Sequence, residues 1–142
     1  MKELIEELKL NRVAYLLEIM EKKDFDSKIN ALKKLEKMKI TPNIGLFLIQ
    51  NSTKNYGVND NNGGLNASIL SLCFKNYYDV YTDAIEKVYK NLLPNVQNKV
   101  VYLLTTVDSE SALKLYVDLV LKNYKNSDFI PLRASSSAIS LR

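Results

Sequence analysis

The stretch that decides the fold is Leu92–Tyr124, LLPNVQNKVVYLLTTVDSESALKLYVDLVLKNY, which reads as two amphipathic helices joined by a short turn. From Asn95 to Val107 the apolar residues Val96, Val100, Leu103, Leu104 and Val107 fall within about 100° of a helical wheel, a single core-facing stripe. Asp108 can then cap a new helix and Glu110 suits its dipole. That helix carries Ala112, Leu113, Tyr116, Val117, Leu119, Val120, Leu121 and Tyr124 around roughly half its circumference, so it needs neighbours on two sides.

Upstream, the same reading gives a chain of helices. Between Met1 and Lys23 the apolar residues surround a single wheel. Leu4, Ile5 and Leu8 form one stripe and Val13, Leu16, Leu17 and Met20 another, which predicts a break near Asn11. A helix from Ser27 to Lys39 buries Ile29, Leu32 and Leu35 and turns Lys33, Lys34 and Lys37 outward, with Lys28 at the side. Thr41-Pro42 reads as a cap followed by Pro at the first helical position, which favours a short helix over a buried strand through Ile44–Ile49. Asn51–Gly64 is one long polar loop. Asn59–Asn62 only faintly follows a calcium-loop pattern, because Leu70 stands where the closing Glu belongs. Helix resumes from Leu65 to about Leu93 with a break near Asp79, and Cys73 lies among its apolar residues as a buried thiol.

Helix starts at Asn11, Asp26, Thr41, Gly64, Asp79, Asn95 and Asp108 recur about every 15 residues except across the long loop, which implies two-helix units stacked side by side. The expected fold is therefore all-α: a right-handed superhelix of helical hairpins with about seven helices. It forms a single domain over residues 1–142, in which 127–142 is a tail or the start of a further repeat.

Composition narrows the function. With no histidine and one cysteine, the chain lacks the commonest general base, any intrachain disulfide and any cysteine zinc cluster. No cofactor, metal or catalytic residue is expected, and no acidic pair stands in an apolar setting that would perturb it. The absence of a long apolar run or a signal-peptide core reads as cytoplasmic, with no membrane association. The net charge of +4 suggests polyanions, but 17 of the 20 basic residues are Lys, alongside 15 Asn and nine Tyr, a pattern that A/T-rich codons also produce.

Leu92-Leu93-Pro94, the amphipathic helix after it, Asp108 in the turn and the second apolar helix together resemble HEAT-type helical repeats, although Glu110 stands where such repeats often carry Arg or Lys. The resemblance implies a protein or peptide partner held along a superhelical surface, with nucleic acid as the rival. Tyr102, Tyr89 and Tyr78 are the candidate partner surface, and Lys33, Lys34 and Lys37 the candidate phosphate contacts. Leu113, Val117, Leu121 and Tyr124 exceed what the preceding helix can cover, so self-association or a truncated array is expected at the C-terminal end.

Overall fold

The computed structural model describes residues 1–22, 24–54, 56 and 63–125, with the side chains of 123–125 excepted. Among the described residues there are seven helices and no strand. They are α1 (Lys2–Lys22), α2 (Phe25–Glu36), α3 (Pro42–Gln50), α4 (Gly64–Lys75), α5 (Val80–Tyr89), α6 (Pro94–Leu104) and α7 (Glu110–Lys125). Ile44–Ile49 is thus helical, as the Thr-Pro start predicts, and the chain breaks around Asp79 as expected. The calcium-like Asn59–Asn62 and the tail 127–142 lie outside the described residues.

Local chemistry fixes where the helices begin. Thr41 is extended, its Oγ1 accepts from Ile44 N at 3.4 Å, and Pro42 takes the first helical position where no N–H is needed. Asp24, not Asp26, caps α2: its carboxylate accepts from Ser27 N at 2.8 Å, so the helix starts two residues before Ser27 and ends at Glu36 rather than Lys39. At α6 an extended Leu93 followed by Pro94 does the work assigned to Asn95. At α7 Ser109, not Asp108, closes the first turn, with Oγ accepting from Ala112 N at 3.2 Å.

The break near Asn11 does not occur. α1 runs without interruption because Lys2–Lys22 contains neither Gly nor Pro, and the two stripes are two faces of one helix. Val13, Leu16, Leu17 and Met20 enter the core, while Leu4, Ile5 and Leu8 stay exposed.

The helices pack by position in the chain. α1 packs on α2, α3 on α4 and α6 on α7. Each helix also packs on the one two places along, giving the pairs α1 with α3, α2 with α4, α3 with α5, α4 with α6, and α5 with α7. The result is two rows, α1-α3-α5-α7 and α2-α4-α6, with one apolar core between and along them. Val96, Val100, Leu103, Leu104, Ala112, Tyr116 and Leu119 lie in that single core, as the opening hairpin requires.

Two glycines permit the closest approaches between row neighbours. A Cβ on Gly45 in α3 would lie 2.0 Å from Tyr81 Oη and 2.3 Å from its Cζ, so α5 seats its tyrosine directly on α3. Gly63, at φ 74°, starts α4 in the left-handed region, and a Cβ there would meet Val96 Cγ2 of α6 at 2.5 Å. The Thr41 carbonyl accepts both Gly45 N (2.8 Å) and Tyr81 Oη (3.4 Å), while Thr41 Oγ1 donates to Glu6 of α1. One turn of α3 therefore holds α1 and α5 together.

The reassigned cap is testable. Asp24→Ala should cost about 1 kcal/mol in urea unfolding, whereas Asp26→Ala, which loses only a helix-dipole contribution, should cost about 0.3 kcal/mol.

Candidate functional site

A cleft of about 370 Å³ opens where the α4–α5 turn meets the α6–α7 turn, lined by Phe74, Lys75, Asn76, Tyr77, Tyr78, Thr106, Val107 and Asp108. Its volume falls within the range of sites that hold a small molecule or a few side chains of a peptide. The lining is mostly polar, with Lys75 from one turn and Asp108 from the other, and Asn76 supplying both a donor and an acceptor.

An aromatic floor supports it. Phe74 and Tyr77 lie with centroids 5.1 Å apart, and Tyr77 and Tyr78 each meet Tyr81 edge-on at 5.6 and 5.5 Å. A chain of hydroxyls then ties both turns together. Tyr77 Oη pairs with Thr82 Oγ1 at 2.6 Å, and Thr82 pairs with Ser111 Oγ at 2.8 Å. The Asp79 carboxylate accepts from Ser109 Oγ (2.7 Å) and Ser111 Oγ (3.3 Å), so the start of α7 is bound to the start of α5. Burial pushes the Tyr77 phenol above its usual range, the Thr82 hydrogen bond opposes this and Asp79 adds to it. Tyr81, more deeply set among Cys73, Tyr78 and Tyr77, is pushed up further, again chiefly by burial. Both phenols stay neutral and serve as packing and hydrogen-bonding groups.

The structure places the sequence-predicted residues unequally. Tyr78 lines the cleft, half-buried. Tyr102 stands 56% exposed on α6 with Lys99 Nζ 5.8 Å from its ring centroid, outside the cleft. Tyr89 is buried, which removes it from any free surface. Its carbonyl accepts from Gln97 Nε2 of α6 at 2.9 Å. Lys33, Lys34 and Lys37 are all exposed on or just after α2, as the wheel predicts. Lys28 does not join them: it is 5% exposed, and its Nζ donates to the Tyr56 carbonyl, pinning the chain after α3 onto α2.

Sequence reasoning missed Lys75, Asn76 and Thr106. Their signal is weak: Lys75-Asn76 and Thr105-Thr106 are polar pairs ending apolar helices, which any turn would carry. What they line depends on two turns meeting across 30 residues of chain.

No protein-family model, curated protein or solved structure matches the chain. Among the described residues no helix is long and apolar enough to cross a membrane.

Cys73 is fully buried beside α3, its Sγ 3.8 Å from the Gly45 carbonyl, and burial pushes its thiol up to about 12 against a weaker opposing hydrogen bond. It should resist thiol reagents at pH 8 and label only as the chain unfolds. The unfolded thiol ionises near 9.0 while the folded one keeps its proton to about 12, so this contribution to stability is whole below pH 9 and is lost as pH rises. Between pH 9 and 10 the unfolding free energy should fall by about 1 kcal/mol, and Cys73→Ala should flatten that fall.

Proposed function

We propose that the chain is a non-catalytic interaction module of stacked, HEAT-like helical repeats that grips a peptide segment of a protein partner in the cleft between the α4–α5 and α6–α7 turns. The observation that carries this reading is the cleft: two inter-row turns present opposite charges, Lys75 and Asp108, over an aromatic floor fixed by the Tyr77–Thr82–Ser111–Asp79–Ser109 chain. A rigid floor lets side chains dock with little ordering cost, and Asn76 suits the alternating donors and acceptors of an extended backbone. The packing of every helix on the one two places along supports the repeat reading, since stacked repeats touch only near neighbours. The burial of Cys73 and the neutral phenols favour binding over nucleophilic chemistry.

The exposed row Lys33, Lys34 and Lys37 supports nucleic acid as the second reading. With Lys28 engaged at Tyr56, the ridge offers three contacts, whose affinity would fall roughly 40-fold between 50 and 200 mM salt.

Quantitative affinity capture compares three chains. A partner retained by the wild type and by Lys33→Glu/Lys37→Glu, but depleted at least tenfold by Lys75→Glu/Asn76→Ala, is the expected result. Nucleic-acid binding that survives physiological salt and disappears in Lys33→Glu/Lys37→Glu would reverse the ranking.

A further inference from the structure

The two rows of helices differ in charge. α2, α4 and α6 hold five lysines against two carboxylates, both on α2, whereas α1, α3, α5 and α7 hold eight basic residues against nine acidic ones. Codon usage raises lysine along the whole chain and does not sort charge by row. α4 has α2 and α6 beside it and α3 behind it, which leaves one free side. Its stripe of Ser68, Ser71 and Lys75 lies there, within about 60° of arc. Lys33 and Lys34 of α2, Lys37 just after it, and Lys99 and Tyr102 of α6 are exposed opposite the buried arcs of their own helices, so they open on the same side.

The three helices also run in one direction. Gly63, ahead of α4, meets Val96 and Leu93 at the start of α6, and the ends of both helices line the same cleft. In the first turn of α2 Lys28 donates to the Tyr56 carbonyl, and in the first turn of α4 Asn66 Nδ2 donates to the Lys54 carbonyl at 2.8 Å, so these two helices start side by side. The exposed lysines and Tyr102 therefore form one band, running from the middle of each helix to its end and spanning about 20 Å between the axes of α2 and α6. Among the described residues none of the five exposed lysines lies in an ion pair. Glu36 sits at the margin of the α2 stripe, and Asp26 is more than a full turn before Lys33.

We infer that this outer face of the α2-α4-α6 row binds a single strand of nucleic acid, with Lys33, Lys34, Lys37, Lys75 and Lys99 along its phosphates and a base stacked on Tyr102. The inference rests on the nucleic-acid reading above and enlarges its site from one helix to three. Charge alone would suit any polyanion, and the tyrosine selects the partner. Its ring is 56% exposed with Lys99 Nζ 5.8 Å from the centroid, so a cation and an aromatic face stand where the phosphate and base of one nucleotide would lie. An acidic peptide has no group that needs that ring, and a duplex keeps its bases stacked inside. Lys75 also lines the cleft, so the test leaves it unchanged.

Fluorescence anisotropy on the full chain decides it, using a fluorescein-labelled oligo-dT of about 12 nucleotides, a duplex of the same length and labelled polyglutamate, with circular dichroism confirming unchanged helix content in each variant. The single strand should bind most tightly and lose roughly 130-fold in affinity between about 50 and 200 mM salt, as about five phosphate contacts with a slope near −0.7 each require. Tyr102→Ala should weaken the single strand about tenfold with its salt slope unchanged. Lys99→Ala should reduce the magnitude of that slope by about 0.7, and Lys33→Glu/Lys37→Glu should abolish binding. Binding that disappears in Lys33→Glu/Lys37→Glu but is unchanged in both Lys99→Ala and Tyr102→Ala would overturn the inference and leave the one-helix site standing. A duplex or polyglutamate held as tightly as the single strand would also overturn it. No single-strand binding at about 50 mM salt would sink this inference and the nucleic-acid reading together.

Discussion

Tyr81 lies with its ring against the position on α3 that has no Cβ, and the rest of the stack is arranged around that contact. The ring is fully buried, touches Tyr77 and Tyr78 edge-on, and sends its hydroxyl to the Thr41 carbonyl at the start of α3. The same first turn of α3 holds Glu6 of α1 through the Thr41 hydroxyl, and the Gly45 carbonyl receives Cys73 of α4. A single turn thus fixes three neighbouring helices. Gly63 plays the matching part in the other row by admitting Val96 of α6 against the start of α4. Gly45 sits inside α3 for the room it leaves rather than for a bend, and its cost in helix propensity, about 1 kcal/mol relative to Ala, is offset by burying Tyr81 of the next helix in the row, whereas Gly63, at φ 74° ahead of α4, is required by the backbone as well.

The cleft follows from this packing. Tyr81 seats α5 on α3, which brings Tyr77 and Tyr78 to the edge of the stack. The Asp79–Ser109 bond then draws the α6–α7 turn alongside. The polar groups that rim the cleft, Lys75, Asn76 and Asp108, are exposed and add little to stability, unlike the buried residues beneath them.

Much of this was legible in the chain. The apolar arcs of Val96–Leu104 and Ala112–Val120 announced the final hairpin because the 3.6-residue period is long and uninterrupted there. Thr41-Pro42 gave the start of α3 because cap and Pro act within four residues. Long-range facts were not legible. Gly45 weakens the periodicity of a nine-residue helix, and its reason is a tyrosine 36 positions later. Asp24 and Asp26 are equivalent in sequence, and only the backbone angles at Asp24 select it. Tyr89 is expected on the partner surface, yet it is buried, which a wheel of α5 alone does not show. Lys28 looked like one more solvated lysine until the chain at Tyr56 folded back across it. The two stripes of α1 predict two helices, because a helical wheel does not distinguish a change of phase from a second face of one helix.

The account depends most on the Tyr81–Gly45 contact, and a double-mutant cycle measures it directly. Urea unfolding of Gly45→Ala should show a loss of about 3 kcal/mol, since the new methyl has no room beside a ring held in a packed core. In a Tyr81→Ala background the same substitution should cost nothing or stabilise by up to about 1 kcal/mol, because the space is open and Ala is the better helix former. Equal effects of Gly45→Ala in the two backgrounds would show that the glycine is not there for the tyrosine, and the stack would need another explanation.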